Sequence, residues 1–181
     1  TYILLGPWMP PLASIDPDLH AELVSIYEEM MWLALRPNVT AGRARAWYTH
    51  IMSERVKRRL RMFTGKVSSK AAESDSATLR LEHYKRIQTK LTDLVERHRN
   101  LKKPKPQEFV QVLFDCERVH IVTFHENYDA RRAEGNYRRA GIELIPWHDL
   151  TPERQAVLWK KMLRGKVANA NDYAPKPKNR A

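Results

Sequence analysis

The sequence predicts a mostly helical α+β fold: an N-terminal helical hairpin or bundle, then a small α/β unit of strand, helix, strand and helix, and an extended basic tail. Three observations carry this expectation. Apolar residues recur at helical spacing through most of residues 17–101, and two short runs at 119–124 and 142–145 have strand character. Hydrophobic residues make up 43% of the 181, enough for a packed core.

Pro7, Pro10 and Pro11 keep the beginning extended, with Trp8 and Met9 as apolar anchors. A first helix is expected from Asp16, with Pro17 at its first position and Asp18 at its positive end, stopping before Pro37. Leu19, Leu23, Ile26, Tyr27, Met30 and Ala34 form its inward face. Glu22, Glu28 and Glu29 make the other side acidic, suited to the basic helix that follows. Thr40 caps that second helix, which is expected to run to about Thr64 with Gly65 beyond its end. Its inward residues are Trp47, Ile51, Met52, Val56, Leu60 and Phe63. Residues 67–78, rich in Ser and Ala, read as a loop. A third helix is expected over about 77–101, where Tyr84, Ile87, Leu91, Leu94, His98 and Leu101 alternate steps of three and four. That seam should pack on the second helix as a hairpin.

Lys102, Lys103, Pro104, Lys105 and Pro106 form a stiff basic linker, taken as the boundary between a helical region (1–101) and an α/β unit (107–173). Residues 109–114 are apolar and fit either a strand or a helix. Residues 119–124 alternate and are β-branched, so a strand is expected there. Asn127 can cap a helix reaching Ala140, weakened by Gly135 and ended by Gly141. Residues 142–145 give a second strand, parallel to the first, stopped by Pro146. Thr151 and Pro152 open a last helix that Gly165 closes, with Val157, Leu158, Met162 and Leu163 available for burial. The tail, 174–181, is extended and basic.

Charge is the main functional signal. The chain carries +11, and the excess is not uniform: residues 1–40 net −4, 41–106 net +12 and 107–181 net +3. A localised excess of this size favours polyanions through long-range attraction and counterion release. Arg55, Lys57, Arg58, Arg59 and Arg61 place five cations within seven residues, and Arg43, Arg45, Lys66 and Lys70 extend the region. Such clustering suits phosphates met side by side along a backbone; its bland counterpart is a solvated face balanced by nearby carboxylates. A second cluster, Tyr128, Arg131, Arg132, Tyr137, Arg138 and Arg139, mixes rings with guanidinium groups that can fork onto phosphate or stack on bases.

His120, His125 and Glu126 make the one cluster with the look of an acid–base or metal site, and Asp115, Glu117, Asp129 and His148 could join it. Capping and solvent exposure are the ordinary explanation. Cys116 with His120 could imitate a thiol–imidazole pair, but a buried structural cysteine fits better. The sequence has neither a GxxxxGK[ST] nor a GxGxxG pattern, and no apolar run nears the ~20 residues of a membrane span.

The function expected from these features is non-enzymatic: a structural component of a ribonucleoprotein, contacting RNA phosphates and neighbouring protein subunits, with no catalytic, metal or cofactor site assigned. A ribosome, of mitochondrial type, is the favoured assembly. It would accommodate a start at Thr1 and the single cysteine, making the mitochondrial matrix the expected compartment and the cytoplasm the alternative. A nuclease-like enzyme using His125 and Glu126, and a protein-interaction subunit with Trp and Tyr anchors, are the competing readings.

Overall fold

A computed structural model describes residues 15–75, 78–83, 85–101 and 103–175. The proline-rich start, Tyr84, Lys102 and the tail beyond residue 175 therefore lie outside the described residues. The fold is mostly helical α+β, and the chain divides into two compact units that interleave in sequence. Among the described residues, the first takes those within 1–59 and 86–116, and the second those within 60–85 and 117–181. Residues 103–105, from the expected linker, join two helices inside the first unit.

The first unit is helical. Helix α1 (Pro17–Ala34) starts as its sequence dictates: Asp16 accepts from the Asp18 N–H at 2.9 Å and Pro17 stands where no N–H is needed. All six residues of its expected inward face are buried. Thr40 caps α2 (Ala41–Ala46), which continues through a π turn (Trp47–Met52) into α3 (Ser53–Leu60). The wider turn changes the helical phase, and Ile51, expected to be inside, is exposed.

Helix α5 (Ile87–Arg99) packs on α2, and α6 (Pro106–Cys116) packs on α1 and α5. Residues 109–114 are thus helical, and Cys116 is buried on the inner side of α6. Tyr27 and Phe109 rings meet at 5.6 Å, and Phe109 and Tyr48 at 5.8 Å. A polar strut crosses this core: the Tyr27 hydroxyl lies 2.8 Å from His98 Nδ1, and His98 Nε2 lies 2.9 Å from Glu108. His98 belongs to the expected seam and is buried, but its role is to hold α1, α5 and α6 by hydrogen bonds.

Among the described residues the second unit carries a four-stranded mixed sheet of β1 (Met62–Ser68), β2 (Leu79–His83), β3 (Arg118–Thr123) and β4 (Leu144–Pro146), in the order β2–β3–β1–β4. Its first two strands correct the sequence reading. Strand β1 (Met62–Ser68) occupies the expected end of the second helix and start of the loop, and β2 (Leu79–His83) occupies the expected start of the third helix. The second and third helices are therefore separated by β1, a short helix α4 (Ser69–Glu73) and β2. Gly65 is not a helix stop. It has φ of +76° within β1, where the pairing with β3 shifts register, and a Cβ there would sit 3.1 Å from the Tyr173 hydroxyl.

Strand β3 (Arg118–Thr123) is central and pairs parallel to β1 and antiparallel to β2. Strand β4 (Leu144–Pro146) pairs antiparallel to β1. The two strands expected to be parallel neighbours are consequently separated by β1 and run in opposite directions. Helix α7 (Phe124–Arg132) begins earlier than expected, because Thr123 and Glu126 form a reciprocal capping box that outcompetes Asn127. It ends at Arg132 because Glu134 and Gly135 take φ of +58° and +80°. The Gly135 N–H then bonds back to the Ala130 carbonyl at 2.8 Å. Removing the cap with Thr123→Ala is expected to lower stability by ~1 kcal/mol, measured by urea unfolding. An unchanged midpoint would mean that the box does not hold the strand–helix junction.

Thr151 and Pro152 start α8 (Pro152–Leu158), followed by a π turn (Trp159–Leu163) and Gly165 at φ +68°. Leu158, Met162 and Leu163 join Phe63, Val67, Leu79, Val119 and Ile121 in one apolar cluster on one side of the sheet, whereas Val157 is exposed.

Candidate nucleic-acid interface

The cations of 55–61 meet carboxylates. In the first unit Arg55 lies 3.2 Å from Glu22, and Arg59 bridges Asp16 at 2.9 Å and Glu22 at 3.3 Å. Hydrogen bonding from Arg59, then from the Asp18 N–H, holds the Asp16 carboxyl below the usual range. Lys57 pairs with Glu54 on its own helix. Arg58 and Arg43 are exposed and make no side-chain ion pair among the described residues, while Arg45 donates to Thr49 at 3.1 Å. The acidic side of α1 thus neutralises much of the basic helix. Exposed pairs of this kind are screened by solvent, so they set local charge more than stability.

Arg61 belongs to the second unit and has a different environment. Its Nε donates to Glu117 at 3.2 Å, and His83 Nε2 lies 3.1 Å from the same carboxylate oxygen. Burial pushes the Glu117 carboxyl up, but the hydrogen bonds and charges of His83 and Arg61 outweigh it and hold the group below its ordinary range. A side chain 17% exposed and held by a buried carboxylate is a fold element, so Arg61 leaves the set of candidate phosphate contacts.

The second expected cluster is the more open one. Arg131, Arg132, Arg138 and Arg139 are all exposed on α7 and the turn that follows. Arg132 pairs with Asp129 at 2.6 Å, whereas Arg138 and Arg139 make no ion pair among the described residues. Lys66, on β1, is exposed. The two tyrosines part company. Tyr128 is 54% exposed, while the Tyr137 ring packs edge-on against His120 at 5.4 Å. Two residues that the sequence did not single out as site candidates join this face. Phe124 is 45% exposed one turn before Tyr128, and the Arg80 guanidinium, from edge strand β2, sits 5.3 Å over its ring. The Arg132 guanidinium sits 5.0 Å over Tyr128. The signal that could have found Phe124 was the T-x-x-E box at 123–126, which makes it the first helical residue and not the last of a strand.

His125 and Glu126, adjacent in sequence, diverge in space. His125 is exposed, but Glu126 is buried and its carboxylate accepts from the Ser68 hydroxyl at 2.5 Å and the Thr123 N–H at 2.9 Å. Its hydrogen-bonding capacity serves the cap and the β1–α4 junction, because Ser68 also caps α4. His120 lies inside the second unit, with Nδ1 2.5 Å from the Thr64 hydroxyl. Burial first, then the charge of Lys66, lowers its pKa to about 4. His120 is therefore neutral at physiological pH. Cys116 is buried in the first unit. Among the described residues no three of His, Cys, Asp and Glu form a group able to hold a metal ion.

An open cleft of about 510 Å³ in the second unit is lined by Glu73, Asp75, Asp149 and Glu153, with Arg154 tied to Asp75 and to two backbone carbonyls. Its carboxylates repel phosphate, and no candidate phosphate-binding residue lines it. Among the described residues no helix is long and apolar enough to cross a membrane. Fold and surface together define a mostly helical α+β protein with a basic, partly aromatic face. The chain matches no family model, no curated protein and no solved structure.

Proposed function

We propose that this chain is a non-enzymatic, RNA-contacting structural component of a ribonucleoprotein assembly, and that its RNA-facing surface is the second unit around α7. The observation that carries the reading is the set of exposed arginines, Arg131, Arg132, Arg138 and Arg139, beside two exposed rings. Guanidinium groups fork onto phosphate oxygens, and their charge on an already cationic chain draws a polyanion by counterion release. Arg58 and Arg43 add charge from the first unit, but the remaining cations of 55–61 are already matched by carboxylates. An RNA that recruits Arg55 or Arg59 must displace Glu22 or Asp16, which removes part of the gain.

A salt titration of RNA affinity tests this. Four phosphate contacts on a single strand give a slope of log affinity against log salt of about −3. Changing Arg131, Arg132, Arg138 and Arg139 together to Gln is expected to abolish most of that slope. Changing Arg55, Lys57 and Arg59 to Gln should leave the larger part intact. The reverse order of effects would return the interface to α3, and wild-type protein that binds no RNA even at low salt would favour the protein-docking reading.

A further inference from the structure

Arg80, Phe124, Tyr128 and Arg132 form a single stripe whose composition is unusual for solvent. Phe124 and Tyr128 are four residues apart on α7, so they share one face about 6 Å apart along the axis. About half of each residue remains open, and each ring carries a guanidinium at one side. The buried side of the helix is made by Glu126 and Ala130, and both rings lie outside it, with the Phe124 ring meeting the His125 ring edge-on at 5.8 Å. A free helix N-terminus is not the attraction either: Thr123 and Glu126 already occupy it.

We infer that this stripe is a stacking platform for unpaired bases of single-stranded RNA, an inference that rests on the RNA-contacting reading above. Each ring offers a π-face to any base, and Arg80 and Arg132 can stack on a neighbouring base or turn to its phosphate. The charge around it suits that occupant: Arg131 lies on the same helix, and Arg138 and Arg139 follow in the turn. The ~6 Å rise between the two positions exceeds the ~3.4 Å step of a stacked strand, which suits nucleotides already pulled apart rather than a paired helix. Duplex RNA hides its base faces and leaves these rings unused. Recognition by stacking is tolerant of sequence, in keeping with a face that offers rings and guanidinium groups to any base.

The test compares fluorescence anisotropy of a labelled single strand of about 12 uridines with that of the matched duplex. Phe124→Ala and Tyr128→Ala should each weaken single-strand binding on the order of 10-fold, with the salt slope and duplex binding unchanged. Tyr128→Phe, which keeps the ring, should bind as the wild type does. Both alanine changes are at exposed positions, and circular dichroism checks that the variants fold. If the ring variants bind the single strand normally while the slope still depends on Arg131, Arg132, Arg138 and Arg139, the stacking platform is wrong and the RNA reading stands. If wild-type protein binds neither strand nor duplex, both fall. Equal losses on strand and duplex would also overturn the platform, because the rings would then be acting through general surface shape.

Discussion

Replacing Arg61 by alanine is expected to destabilise the protein by about 3–5 kcal/mol, the usual consequence of leaving a buried charge without its partner. Glu117 is 3% exposed, and its carboxylate is held by Arg61 at 3.2 Å and His83 at 3.1 Å. Without the guanidinium, the buried Glu117 carboxylate is left short of countercharge, or it must take up a proton. Either route costs free energy near neutral pH. Replacing both partners by apolar residues of similar size, Arg61→Met with Glu117→Leu, should cost much less than the single change, because no buried charge is then stranded. Urea unfolding of the two single variants and the double variant gives the coupling directly. A loss below about 1 kcal/mol in Arg61→Ala would place Arg61 among ordinary exposed cations, where the sequence had it. The same variant should leave the salt slope of RNA binding unchanged in its folded fraction.

Arg61 also marks where sequence reasoning stopped working, and the reason is physical. Helix α1 was legible because everything that defines it is local: Asp16, Pro17, a 3.6-residue apolar period and a proline beyond its end. Helix α8 was legible for the same reason. Strands β1 and β2 have no such local definition. Phe63 continues the apolar drift of the preceding helix, so Met62–Ser68 extends a helical pattern equally well until its pairing with β3 is known. The alternation of Leu79–His83 is five residues long and was absorbed into a longer helical period that continues correctly from Ile87. Both strands are held by β3, which enters the chain after two intervening helices, so non-local pairing overrode local propensity. The interleaving of the two units follows, since the chain leaves the helical unit, lays down two strands and returns.

The site was legible to a similar degree. That Arg55, Lys57, Arg58, Arg59 and Arg61 cluster is plain in the sequence, but the carboxylates that match them come from Asp16, Glu22 and Glu117 as well as the adjacent Glu54. The suggestion that acidic α1 lies against the basic helix was correct, and it is the fact that weakens the basic helix as a phosphate contact. For the arginines of α7 no long-range information was needed, because exposure on a short helix and turn follows from the lack of apolar residues between Arg131 and Arg139 apart from Ala133 and Tyr137.

A histidine buried in its neutral form should give the protein an acid-sensitive limb. His120 is 4% exposed, faces the Thr64 hydroxyl and the Tyr137 ring, pairs across the sheet with Glu82 and lies within the field of Lys66. Its pKa falls from 6.5 to about 4 on folding, by burial first and by Lys66 second. Above pH 6.5 the imidazole is neutral in both states and pH has no effect through it. Between about 6.5 and 4 the unfolded chain takes a proton that the folded protein refuses, so stability falls as pH falls through that window. The full shift corresponds to about 3 kcal/mol, reached near pH 4. Glu108 and Glu117 are both held below the ordinary carboxylate range, so they remove further stability as pH falls through their own, more acidic range. The two sources separate by comparing wild type with His120→Gln, which keeps a polar group near Thr64 but no titration near neutrality. Urea unfolding at intervals from pH 7.5 to 4 should show the wild type losing about 3 kcal/mol more than the variant, with most of the difference developing between pH 6 and 4.5. Parallel curves for the two proteins would show that His120 accepts its proton inside the fold, through a local opening that the packing of Tyr137 against it argues against.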